Sequence, residues 1–309
     1  MSIRVPFLQS VAAPHVFCLL PEGVTYARIR AGDPAGFEEV RNFRYPAGSA
    51  VAGPSGASLP TREAIAEAVK VARALSGGRL ARASVVFPDA WARILPVELE
   101  AMPDQSDAGR EVVLWKLRKL LPGHPTDLAI VYEPMPELND EKRVLVAAVP
   151  KETVEGIERA FEESGVRVGY LAPASLALFG GLARALSDAA SGDFALLHRT
   201  PGAMSFFIAR GTTAIFYRQR PSQTDDPQDH DREARLSLSY YAEKLKGPGL
   251  AAVYVHDELT DGGLASIGAF PVPAVPLSGR LFSADPDFDE RVAARPELLS
   301  GFAAVWGGR

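Results

Sequence analysis

Two apolar strand–turn–strand segments, far apart in the chain, restrict its fold more than any other feature. The first runs His15–Ile29, His-Val-Phe-Cys-Leu-Leu-Pro-Glu-Gly-Val-Thr-Tyr-Ala-Arg-Ile, and breaks at Pro21–Gly23. The second runs Phe194–Ile208, Phe-Ala-Leu-Leu-His-Arg-Thr-Pro-Gly-Ala-Met-Ser-Phe-Phe-Ile, and breaks at Pro201-Gly202. Short apolar runs joined through Pro and Gly read as hairpins. Two such hairpins predict a structural duplication, although no sequence repeat accompanies it. The 309 residues allow one large domain or two smaller ones.

The segments between the hairpins alternate in period. Phe37–Tyr45 reads as a strand, and the Gly-, Ala-, Ser- and Pro-rich stretch 46–60 as a loop. Thr61 is placed to cap a helix whose apolar stripe is Ile65, Ala68, Val69, Ala72 and Leu75. A strand at Ala83–Phe87 follows. Strands at 92–99, 128–133, 143–149 and 166–171 then alternate with helices at 110–121 and 151–164. That order is strand-helix-strand-strand-helix-strand, an α+β subdomain of the split βαβ kind spanning 88–171. The last third reads as an Ala- and Leu-rich helix over 173–190 and strands at 194–198, 204–210 and 213–220. An acidic loop at 221–231, a helix at 232–246, a strand at 251–256 and a terminal helix at 297–306 complete it.

Composition removes several function classes. A formal net charge of −5 with dispersed Lys and Arg gives no basic face for nucleic acid. No apolar run approaches the roughly 20 residues that cross a bilayer. The N-terminus, with one Arg and a Pro-broken apolar stretch, is a poor signal peptide. Cys18 is alone and sits in an apolar strand, which fits a small core residue in a reducing compartment. The expectation is a cytoplasmic protein.

Several segments together resemble a known family. They are Phe87-Pro-Asp89 followed by Arg93, Trp115 in a helix ending Leu120-Leu-Pro122, Tyr132-Glu133, and Lys142–Glu155. Phe161–Val168, the sequel Leu171–Leu178 and the tail Leu298–Arg309 belong to the same set. In order and spacing they resemble the type IV pilus assembly protein PilM, continuously over about residues 84–180. The resemblance implies an actin-like (ribonuclease H-like) two-domain α/β fold of the FtsA type. Residues 1–87 would begin domain 1, 88–171 would be inserted, and 172–309 would form domain 2 with the terminal helix. It also implies a job: binding the cytoplasmic tail of PilN, a single-pass inner-membrane protein, and linking it to the pilus motor and platform. Members of the superfamily hold ATP with Asp-x-Gly turns, whose amides approach the phosphates and whose carboxylate holds hydrated magnesium.

This chain departs from that pattern at both turns. The first offers Leu20, Pro21, Glu22 and Gly23, and the second His198, Arg199, Thr200, Pro201 and Gly202. A Gly-Gly turn after the late strand is replaced by His256-Asp257-Glu258. A carboxylate pair there would oppose a triphosphate. The expectation is therefore no bound cofactor and no turnover: a non-catalytic adaptor, cytoplasmic and peripheral to the inner membrane. The alternatives are a divergent ATPase that still holds ATP and magnesium, and a linker like the type II secretion protein GspL. Homo-oligomerisation, common on this fold, stays open.

The remaining tempting residues have plain readings. Asp225, Asp226, Asp229, His230 and Asp231 lack a fixed ligand spacing and read as a solvated loop, so no metal is expected. His256-Asp257-Glu258 reads as a strand exit with a helix cap at Asp257 or Thr260. Trp91, Trp115 and Trp306 read as core. Trp91 also opens the inserted subdomain, and the resemblance places the partner's tail in a groove there. Trp91, Arg93 and Leu95 are the expected groove residues, since an extended apolar tail is held by an aromatic anchor, charge pairs and backbone edges.

Overall fold

The computed structural model describes residues 12–30, 32, 35–53, 57–102, 107–121, 127–138, 140–222, 227–259, 268 and 270–307. The first hairpin is β1 (His15–Leu19) and β2 (Gly23–Arg30), extended antiparallel by β3 (Gly36–Arg44). A small hairpin follows, β4 (Ala50–Ala52) with β5 (Ser58–Pro60), inside the stretch expected to be pure loop. Helix α1 (Arg62–Leu75) starts where the sequence places its cap: Thr61 Oγ1 accepts the Ala64 N–H. Then come β6 (Arg82–Phe87), a 3-10 turn at Asp89–Trp91, β7 (Arg93–Leu99), α2 (Asp107–Leu117), β8 (Leu128–Leu138) and β9 (Glu141–Pro150). Helix α3 (Lys151–Glu163), β10 (Arg167–Pro173) and α4 (Ala174–Ala190) lead to the second hairpin.

That hairpin is β11 (Phe194–Thr200) and β12 (Gly202–Arg210), followed by β13 (Thr213–Ser222), α5 (Pro227–Glu243), β14 (Ala252–Asp257) and β15 (Ala274–Pro276). Helices α6 (Phe288–Ala294) and α7 (Leu298–Trp306) close the chain. The two main sheets have the same order, β10-β6-β1-β2-β3 and β15-β14-β11-β12-β13. In each, three antiparallel strands continue into two parallel ones. The duplication expected from the hairpins is thus present in topology. Interior strands such as β11 are buried throughout, as strands covered on both faces must be.

The inserted subdomain is smaller than expected. Its sheet is β7-β9-β8 with α2 on one face, and it ends at Pro150. Strand β10 pairs parallel with β6 inside the first main sheet, and α3 packs on α1. The boundary at 171 therefore moves. A strand's own residues do not say which sheet edge it joins. Strand β9 serves two cores by alternation: Val144, Val146 and Ala148 face α2, while Leu145, Ala147 and Val149 join the main core.

Helix α4 packs on β11 of the second sheet, whereas the terminal helix α7 crosses back onto β1, β2 and β6 of the first. The terminal helix thus lies between the first sheet and α4. Trp115 is a further correction. It is 57% exposed with Lys119 over its ring, because it lies on the face of α2 opposite buried Val113 and Leu117. Helix α5 begins at Pro227, inside the expected acidic loop; Pro suits a first helical turn. Asp225, Asp226 and Thr260 lie outside the described residues, as do the side chains of Asp229 and His230. Among the described residues, no helix is long and apolar enough to cross a membrane.

Candidate functional site

Both hairpin turns lie at strand ends. In the first, Leu20 N–H donates to Gly23 O at 2.9 Å and Tyr45 N–H to Glu22 O at 3.0 Å. A Cβ on Gly23 would lie 2.4 Å from Phe43 O. The approach of β3 requires glycine there. Leu20 is half-buried and Glu22 exposed. In the second turn Gly202 has φ of +80°, and a Cβ would meet Ala90 Cβ at 3.0 Å. The turn therefore rests directly on the 3-10 turn of the first half.

Asp89 fastens that contact. It is fully buried, a position a carboxylate tolerates only when hydrogen-bonded. Its Oδ1 accepts the Ser175 N–H at 3.0 Å and its Oδ2 the Ser205 hydroxyl at 2.6 Å. Its own N–H donates to Thr200 Oγ1 at 3.2 Å, and its carbonyl accepts Gln219 Nε2–H at 2.8 Å. Helix α4 begins after Pro173 without a side-chain cap of its own. Asp89 thus supplies the negative group that a helix N-terminus attracts. Burial pushes its carboxyl above the ordinary value, against the opposing pull of His198, Ser205 and Ser175. Ser205 also meets the Tyr217 hydroxyl at 2.8 Å. The sequence reading passed over Asp89 as a family marker. Its position just after a buried strand and a proline was the available signal.

The ends of β11 and β14 sort their side chains by alternation. His198 pairs in register with His256, and Arg199 with Asp257. On one face Arg199, fully buried, makes a bidentate bond to Asp257, with Nε to Oδ1 at 3.0 Å and Nη2 to Oδ2 at 2.7 Å. On the other face the His198 and His256 rings stack with centroids 5.3 Å apart. Glu258, two residues beyond His256, joins that face: its Oε1 lies 3.0 Å from His198 Nε2 and accepts the Ser300 hydroxyl. His256 Nε2–H donates to Pro296 O at 2.9 Å. Burial pulls both imidazoles down to about 4 and pushes Glu258 up to about 7. The sequence reading treated His198 and His256-Asp257-Glu258 as separate strand ends. The register joins them. Asp257 does cap locally, its Oδ1 accepting the Leu259 N–H at 2.9 Å.

A groove of about 720 Å3 opens elsewhere, between the β4–β5 hairpin, the start of α1 and the start of α3. Val51, Leu59, Thr61, Trp91, Gly156 and Ile157 are among its walls. Trp91 is 1% exposed and nearly parallel to Phe87, and its Nε1–H donates to Ser58 O at 3.0 Å. It is core and groove wall at once, holding the hairpin in place. Arg93 and Leu95, expected beside it, are not among the groove's lining residues. Leu95 packs against the inserted subdomain's core, and Arg93 is half-buried on β7. Missed from sequence was Gly156, inside helix α3, where a Cβ would meet nothing within 4 Å.

No protein-family model and no curated protein matches the chain by sequence. Its structure is similar to a chain of a PilM–PilN type IV pilus biogenesis complex, with TM-score 0.76 and 17% identity. That match covers 97% of this chain and 99% of that one. A Bacteroides thetaiotaomicron protein of actin-like ATPase fold and unknown function matches at TM-score 0.55 and 10% identity, covering 93% and 95%. The cytoplasmic domain of EpsL, an inner-membrane component of the Vibrio cholerae type II secretion system, matches at TM-score 0.51 and 9% identity, covering 85% and 89%. The chain has the actin-like ATPase fold, in the form with an inserted α+β subdomain, as the resemblance implied.

Proposed function

We propose that this chain is a non-catalytic adaptor of a type IV pilus inner-membrane platform. It works in the cytoplasm, peripheral to the membrane, and holds the cytoplasmic tail of a PilN-like protein in the groove beside Trp91. Likeness to the PilM–PilN complex chain over nearly the full length of both supports the architecture of this reading. The observation that carries the rest is the groove itself. It has an apolar floor, a stacked Trp wall and the edge of a small hairpin, which together suit an extended apolar segment. Charged Arg62, Glu63 and Glu152 line it as well, and can fix the direction of a tail.

Gly156 supports the same reading. A glycine inside a helix costs about 1 kcal/mol relative to Ala. No neighbour in the fold crowds this one. Keeping the groove wall bare gives it a purpose.

The adaptor holds no nucleotide in this reading. The donors that would meet phosphates are already paired. The Ser205 hydroxyl and the Ser175 N–H at the α4 N-terminus donate to Asp89, and Arg199 donates to Asp257. Neither turn carries the Asp of an Asp-x-Gly loop, the residue that would place magnesium. The test is fluorescence anisotropy with a labelled tail peptide of the PilN-like protein from the same organism. Gly156→Ala binds more weakly than wild type, because its methyl enters the space the tail would fill. Gly156→Tyr folds yet loses about tenfold or more, at least ~1.4 kcal/mol. Equal binding by Gly156→Tyr would remove the tail from this groove.

A further inference from the structure

The stacked histidines carry a second site, independent of the groove. Strand register sets His198 beside His256, and the two-residue strand period brings Glu258 to the same face. Their ligand atoms lie within 4.8 Å of one another, and all three residues are buried. Buried polar atoms normally find partners. His198 Nδ1 has none.

Two of the three ligands have the partners of a metal centre's outer shell, whereas a His198 bound through Nε2 would leave its Nδ1–H without an acceptor among the described residues. Pro296 O can only accept, so the proton of a neutral His256 sits on Nε2 and its Nδ1 lone pair is free to ligate. The Ser300 hydroxyl donates to Glu258 and orients the carboxylate. His198 Nε2 and Glu258 Oε1 are 3.0 Å apart. Two ligands each about 2.0–2.1 Å from a tetrahedral zinc ion lie about 3.3 Å apart. A cation entering between them would displace the proton they share, and closing the whole triangle needs a shift of about 1.5 Å at most.

We propose that His198, His256 and Glu258 form a Zn2+ site at the joint between the two halves. Two imidazoles and a carboxylate suit zinc, whereas magnesium and calcium take oxygen ligands. Glu258 follows β14 of the second sheet, and its partner Ser300 rides on α7, which packs on the first sheet. The ion would pin the second sheet to that helix.

The test uses the full chain, stripped with chelator, and ZnCl2 as the probe. Calorimetry is expected to give one Zn2+ per chain and a raised Tm. Glu258→Gln and His256→Gln should each weaken binding by more than the roughly 10–100-fold that loss of an outer-shell partner costs. Absence of binding in wild type, or undiminished binding in both variants, overturns the site. Either variant could misfold, so wild type alone is also loaded with Co2+. The intense visible bands of a four-coordinate cobalt complex support the assignment. The weak spectrum of a six-coordinate ion overturns it.

Discussion

Removing the Asp89 carboxylate should loosen the joint between the two halves by an amount the structure allows us to work out. Asp89→Ala leaves the Ser175 N–H and the Ser205 hydroxyl without their acceptor, in a place water does not reach. A buried donor left unpaired costs about 1–3 kcal/mol. The lost charge at the α4 N-terminus adds about 0.3–1 kcal/mol. The sum is roughly 2–7 kcal/mol, a large part of the 5–15 kcal/mol that holds an ordinary domain. Asp89→Asn keeps the shape and one acceptor oxygen. Its amide N–H can donate to Ser205, whose own proton then turns to Tyr217. That variant should lose only about 1–2 kcal/mol.

The two variants also separate by pH. The folded carboxyl of Asp89 titrates above its unfolded value, chiefly because it is buried. Its contribution is full below the unfolded value and is lost as pH rises through the folded one. Asp89→Asn, a mimic of the protonated form, should flatten that stretch of the stability profile. Urea denaturation followed by circular dichroism, across that pH range, reads both effects. An Asp89→Ala loss under about 1 kcal/mol would refute the argument that this carboxylate fastens the halves.

Gly156→Ala should raise stability by up to about 1 kcal/mol in the same assay, because it relieves a helix-interior glycine with open space around it. Trp91→Ala should cost about 3–5 kcal/mol and expose the β4–β5 hairpin to limited proteolysis. Trp91→Phe keeps a ring on Phe87 but loses the bond to Ser58 and part of the buried ring system, and should cost less than Trp91→Ala, about 2–3 kcal/mol. Arg199→Met should cost about 3–5 kcal/mol by stranding Asp257, and the double variant with Asp257→Leu should recover much of it.

The hairpins, most strand positions and the α1 cap were legible because each is written in a local period or a single turn. Strand β10 was misassigned because its sequence carries burial but not partnership: only the parallel register with β6 places it in the main sheet. Trp115 was legible in principle. Val113 and Leu117 are four apart and share a face, which puts the residue between them on the opposite side. The histidine cluster was not legible from either segment alone. It needs the register of two parallel strands separated in sequence by β12, β13 and α5. Gly156 escaped because a helical pattern tolerates one glycine and gives no reason for it. The reason lies in what the rest of the fold leaves empty.

Whether the joint closes on Asp89 in place of a nucleotide is tested most directly by calorimetric titration of the purified chain with ATP and ADP, each with magnesium. The expected result is no binding heat and no rise in Tm at millimolar nucleotide. A saturable, magnesium-dependent signal that raises Tm would contradict it, and would mean that Asp89 releases Ser175 and Ser205 to a phosphate.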